Sequence, residues 1–179
     1  MDLLNEIVSE VQGVLSQVDR DELQEIMGLF VKENSIFIDG EGRSGLMAKG
    51  FAMRLMHLGY DVFVIGETIT PAIRENDLLV IASGSGSSPG LLASAEKAKK
   101  SGARTLLVSS KRDSLIAKVV DCAFVVPGTV KGEQGVNRGS IQLLSTLFDQ
   151  SLHLVLDALC LMISQRDEMS NDEATQLHW

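Results

Sequence analysis

Two short stretches combine glycine and serine, the first with an arginine as well, in a way that suits the capture of an anion. The first, "IFIDGEGRSG" over residues 36–45, reads as a buried strand that breaks into a glycine loop and opens a helix. Gly40, Gly42 and Gly45 satisfy G-x-G-x-x-G. With Glu67 about where a ribose-binding acid stands in a dinucleotide site, this loop alone points to a nicotinamide cofactor. The second stretch, "SGSGSSPG" over residues 83–90, follows another apolar run, and again a helix starts directly after it. Ser83, Ser85, Ser87 and Ser88 crowd their hydroxyls onto one turn. With backbone N–H groups and the positive end of a helix, such a turn makes a phosphate cradle. In a doubly wound sheet of flavodoxin-like order, ligands sit outside the carboxyl ends of strands one and three, where both loops would meet. A nicotinamide reading gives the second loop no task. A phosphosugar reading uses both, placing Gly42, Arg43 and Ser44 opposite the serines. Taken singly, either loop is also an ordinary strand-to-helix turn; the pair is the signal.

The elements that must hold these loops are written in the apolar pattern. Leu4, Ile7, Val8, Val11, Val14, Leu15 and Val18 fall at helical spacing, and Asp19 or Asp21 is placed to cap a second helix running to Phe30. From there "SIFID", "DVFVIG", "LLVIAS", "RTLLVSS" and "CAFVVP" are short runs without polar alternation, as strands buried on both faces should be. Between them "GLMAKGFAMRLMHLG", "LLASAEKAKKSG" and the brief "DSLIAKVV" read as helices, with Gly59 and Gly102 as C-terminal stops. The link over 66–77 carries no helical pattern. The polar stretch "GTVKGEQGVNRGS" precedes a long helix over about 145–165. The expectation is a three-layer α-β-α sandwich around a five-stranded parallel sheet, one domain over 1–179. Its parts are N-terminal helices at 1–34, the sheet with its crossovers at 35–127, a polar loop at 128–144, and a C-terminal helix and tail at 145–179.

Composition narrows the partners. A chain of 179 residues is large enough for one good core but short for a dehydrogenase with separate cofactor and substrate domains. Hydrophobic residues at 45% with only 3 prolines exclude a disordered or low-complexity chain. A net charge of −8 repels a phosphate backbone, so nucleic acid is not an expected partner. Cys122 and Cys160 have no metal-like spacing and read as buried thiols in a reducing cytosol. The opening "MDLLNEIVSE" is acidic and amphipathic, unlike a signal peptide, and "LHLVLDALCLMIS", which holds His153 and Asp157, is too short to span a bilayer. These features place the chain in the cytoplasm, away from a membrane. Apolar stripes on the N-terminal helices and along 147–161 exceed what one thin sheet covers, which predicts a symmetric homo-oligomer.

"GRSGLMAKGFAMRLMHLG", "GETITPAI", "SGSGSS" and "STLFDQS", in this order, resemble the 6-phospho-3-hexuloisomerases, members of the sugar isomerase (SIS) domain family. The similarity runs over about 36–157. It implies a flavodoxin-like SIS fold, a homodimer or tetramer, no metal or organic cofactor, and isomerisation of 3-hexulose 6-phosphate to fructose 6-phosphate through an enediol. By the same resemblance, Ser44, Ser83, Ser85 and Ser88 match the phosphate-loop hydroxyls. Asp149 falls where the pattern T-L-F-E places the glutamate expected as base. His57 matches a histidine expected to approach the site, from a neighbouring subunit in one arrangement. Each has a structural alternative. His57 stands beside the Gly59 stop, Asp149 suits the first turn of any helix, and Arg43 and Arg54 are candidates either for balancing phosphate or for surface ion pairs. His153, one turn after Asp149, reads as structural. Five positions, in three places, depart from the family pattern: Ser87, Ser88 and Pro89 replace Glu, Thr and Lys, Glu41 replaces alanine, and Asp149 replaces glutamate. Alternatives to the hexulose phosphate are a pentose or heptose phosphate, or binding without catalysis.

Overall fold

The apolar runs pair as strands in the computed structural model, which describes residues 2–133 and 139–179. β1 (Ile36–Gly40), β2 (Val62–Val64), β3 (Leu78–Ala82), β4 (Arg104–Ser109) and β5 (Cys122–Val125) form one sheet in the order β2-β1-β3-β4-β5, with every pairing parallel. Side chains alternate between its faces. Ile36, Ile38, Leu78, Val80, Leu106 and Val108 bury on one side, and Phe37, Leu79, Ile81 and Leu107 on the other. Both faces are apolar because helices cover both. α1 (Leu3–Leu15), α2 (Arg20–Met27), α3 (Gly42–His57) and α5 (Thr146–Arg166) enclose the first core, where Phe30, Phe51, Leu55, Phe148 and Leu152 have almost no exposure. α4 (Pro89–Lys100) covers the second with Leu91, Ala95 and Ala98. The sandwich and strand order are those read from the sequence.

Local chemistry sets the helix ends. Asp2 and Asp19 accept from the first free amides of α1 and α2, Asp19 at 2.9 and 3.0 Å. Gly59 and Gly102 leave α3 and α4 at φ +81° and +77°, a conformation that favours glycine. α2 stops at Met27, short of Phe30, which instead fills the core.

Three expectations change. "DSLIAKVV" is a chain of turns and not a helix; its amides are used locally and on the second loop, with Ile116 N donating to Gly86 O at 3.0 Å and Ala117 N to Ser114 Oγ at 3.2 Å. So short a run ending in two valines gains little from helix formation. Second, α5 has 21 residues and is long and apolar enough to cross a membrane, so the length argument against a span does not stand. Most of its apolar side chains are spent on the core, against α3 and α1. Third, the tail folds a further helix, α6 (Asn171–Gln176), behind a capping box of Ser170 and Glu173. Both cysteines are free. Cys122 is half-buried, while burial pushes the Cys160 thiol up to about 12 and keeps it neutral.

Candidate active site

β1 and β3 lie side by side, and the helices that follow them leave on opposite faces of the sheet. Their loops therefore face each other across a cleft of about 520 Å³. The G-x-G-x-x-G glycines have a packing cause here. A Cβ on Gly45 would lie 2.4 Å from the Gly40 carbonyl oxygen, so β1 and α3 meet this closely only if no side chain intervenes. Gly42 turns at φ +57°. Strand-to-helix packing thus accounts for the motif without a dinucleotide. Glu67, the candidate ribose-binding acid, instead pairs with Lys49 at 2.8 Å, both half-exposed.

One wall of the cleft is Gly42, Arg43 and Ser44; the other is Ser83, Gly84, Ser85 and Ser88. Ser83 Oγ accepts from Gly86 N at 3.2 Å and so shapes the loop, while Ser88 Oγ caps α4 at the Leu91 amide, 3.4 Å away. Ser85 is exposed to the cleft. Ser87 is not among the lining residues, and its hydroxyl donates to the Ser85 carbonyl at 3.0 Å.

Beneath the first wall lies Asp149, in the opening turn of α5 and with no exposure at all. Ser44 Oγ donates to its Oδ1 at 2.6 Å and Ser145 Oγ to its Oδ2 at 2.8 Å, with Arg43 Nε 3.8 Å from Oδ2. Two hydroxyls and a guanidinium offset what burial of a bare carboxylate would cost. Ser44 is the hinge of this arrangement, because it both lines the cleft and bonds the carboxylate. Asp39, at the end of β1, is also buried, and burial pushes its carboxyl above the ordinary range against hydrogen bonds from Ser94 and Gly40.

His57 is not brought to this cleft within one chain. It ends α3, and 16 helical residues separate it from Gly42 by roughly 22 Å. The ring is buried, stacks on His178 with centroids 5.1 Å apart, and has no partner for Nδ1 among the described residues. Burial holds it below the usual histidine range, with Arg54 and His178 adding to the effect. Arg54 lines a separate pocket between α3, α5 and α6. His153 pairs with Asp157 at 3.4 Å rather than with Asp149. Sequence reading passed over Ser145, Lys131 and Leu144, which complete the cleft. For Ser145 a signal existed: it stands four residues before Asp149, on the same helical face. For Lys131 there was only one of two cations in a polar loop whose residues 134–138 lie outside the described residues.

Residues 29–138, which hold both glycine loops, match the SIS domain. The chain belongs to the SIS-domain family. Relatives extend the likeness beyond that domain match to α5 and Asp149. The 3-hexulose-6-phosphate isomerase of Bacillus subtilis (strain 168) is 34% identical over 93% of this chain and 90% of its own length. That of Mycobacterium gastri is 37% identical over 98% of this chain and 87% of its own. A crystal structure from Methanococcus jannaschii, for which a 3-hexulose-6-phosphate isomerase function was inferred, matches with a TM-score of 0.84 at 26% identity, covering 100% of this chain and 98% of that one. Both glycine loops thus lie inside the SIS domain match, and the matches to these relatives run over most of the chain.

Proposed function

We propose that this SIS domain is a 6-phospho-3-hexuloisomerase, converting D-arabino-hex-3-ulose 6-phosphate to fructose 6-phosphate. The observation that carries the reading is Ser44, which joins an anion-binding cleft to the buried carboxylate of Asp149. A ring closed on a carbon 3 ketone would need the carbon 6 hydroxyl, which is esterified, so the substrate enters as an open chain. Its phosphate lies on the loop of Ser83, Ser85 and Ser88, where amides, hydroxyls and the α4 N-terminus favour negative charge. Arg43 and Lys131 add charge from the sides. The reaction takes a proton from carbon 2 while O3 gains one, forming the enediol, and then returns a proton at carbon 3 as O2 gives up its hydroxyl proton; no electrons leave the sugar. Asp149 is the acceptor in this reading. Its carboxylate does not touch the cleft, and Ser44 relays the proton to it, giving up its own to Oδ1 as it takes the substrate's.

The deciding experiment supplies the hexulose phosphate to the purified protein and follows fructose 6-phosphate by a coupled reduction of nicotinamide. Turnover at an enzymic rate is the expected result. Isomerisation of a pentose or heptose phosphate with the hexulose phosphate left untouched would move the substrate while keeping the chemistry, and no isomerisation across that set would leave a binding domain.

A further inference from the structure

Glu41 occupies the N-cap position of α3, yet its side chain makes no cap bond there. It points across the cleft instead: a Cβ built on Gly90, in the first turn of α4, would lie 2.7 Å from Glu41 Oε1 and 3.8 Å from Ser88 Oγ. The carboxylate therefore rests against the helix end where an anion is favoured. That turn has few donors to share. Pro89 has no N–H and Ser88 Oγ caps the Leu91 amide, which leaves the Gly90 amide as the donor that neither serves. Glu41 is also the one carboxylate among the described residues that line the cleft.

We propose that Glu41 is a built-in competitor for the phosphate cradle, holding it shut with its own charge. In the free protein the carboxylate stands over the α4 N-terminus, where the substrate phosphate is to bind, and the phosphate must turn it out. This rests on the phosphosugar reading above. Two anions cannot share that turn without repulsion, since the remaining amide serves only one of them. A dianionic phosphate brings more charge to the same donors and displaces the carboxylate. An unphosphorylated ketose brings none, does not use the cradle, and is indifferent to where the carboxylate stands. Phosphate affinity is correspondingly reduced by the fraction of molecules in which the carboxylate has moved away.

The test is calorimetric titration of inorganic phosphate and of unphosphorylated fructose into the full chain and into Glu41→Gln, Glu41→Ala and Ser85→Ala. Both Glu41 variants are expected to bind phosphate about tenfold more tightly than the parent, with fructose binding unchanged and Ser85→Ala weaker for phosphate. Thermal unfolding of the same proteins separates a capping role, because a residue that only stabilises α4 lowers the midpoint when removed and leaves phosphate affinity where it was. If Ser85→Ala weakens phosphate while both Glu41 variants match or fall below the parent, the Glu41 proposal is overturned and the cradle stands. If phosphate does not bind, or Ser85→Ala has no effect on it, the cradle falls and takes this proposal with it.

Discussion

At Asp149 the structure gives a carboxylate with no solvent contact, each oxygen accepting from a serine hydroxyl. Such a site lends itself to a substitution that changes protonation and little else. Asp149→Asn keeps Oδ1 as an acceptor for Ser44, and the Ser145 hydroxyl turns to accept from the new amide, so every buried group keeps a partner. The variant is expected to unfold within a few degrees of the parent and to bind phosphate as before, while kcat falls about 10²–10⁴-fold. Steady-state kinetics beside a phosphate titration reads both; a kcat within a few-fold of the parent sinks the assignment. The residue shows where sequence reading stops. An acid in the first turn of a helix is common, and only resemblance singled out this one; its partner Ser44 lies 105 positions away, a distance that no local pattern spans. The hydroxyls of the second loop, by contrast, lie close together in sequence and were legible, except that Ser87 turns back onto its own loop.

Elements were legible where burial acts on a whole run. Strands covered on both faces must be continuously apolar, and each of the expected strands formed, in the expected order. The segment at 113–120 was misread because its buried Ile116 serves a turn under the second loop, and α6 escaped notice because six residues with a single alanine among polar ones show no apolar period, although S-x-x-E at Ser170 was in plain view. What joins the N-terminal helices to the rest was likewise hidden. Arg166, the last residue of α5, donates to the carbonyls of Met27 and Phe30 at 3.0 and 2.8 Å and to the Tyr60 hydroxyl at 2.6 Å. It thereby satisfies the free end of α2 from a helix far along the chain. Arg166→Ala removes a charged donor from all three and is expected to lower stability by about 2 kcal/mol in urea denaturation. Arg166→Lys, a single ammonium without the planar fork, should recover less than half of that. A loss below about 0.5 kcal/mol for the alanine variant would make this contact an ordinary surface pair.

For the molecule as a whole, the question is what covers the outer helices. Leu46 and Met53 lie one heptad apart on α3, Leu154 and Leu161 one heptad apart on α5, and all four are exposed. The two helices pack side by side, and each carries two exposed apolar side chains. We propose that a second copy covers them across a two-fold axis, each copy presenting the same helix pair. Light scattering at micromolar concentration is expected to give a dimer or tetramer, and Met53→Glu with Leu161→Glu, two charges on surface positions, should give a folded monomer. Assembly also bears on His57. At roughly 22 Å from its own cleft along α3, it can contact substrate only in the cleft of another copy. Its ring is covered by His178, so such a contact requires the C-terminal tail to shift. If His57 serves in that way, His57→Ala in the intact assembly and the monomeric double variant should lose activity to a similar degree, with circular dichroism unchanged in both. A wild-type monomer, or a double variant that is monomeric and fully active, would leave His57 as a core residue at the end of its helix and return the whole reaction to the residues of a single chain.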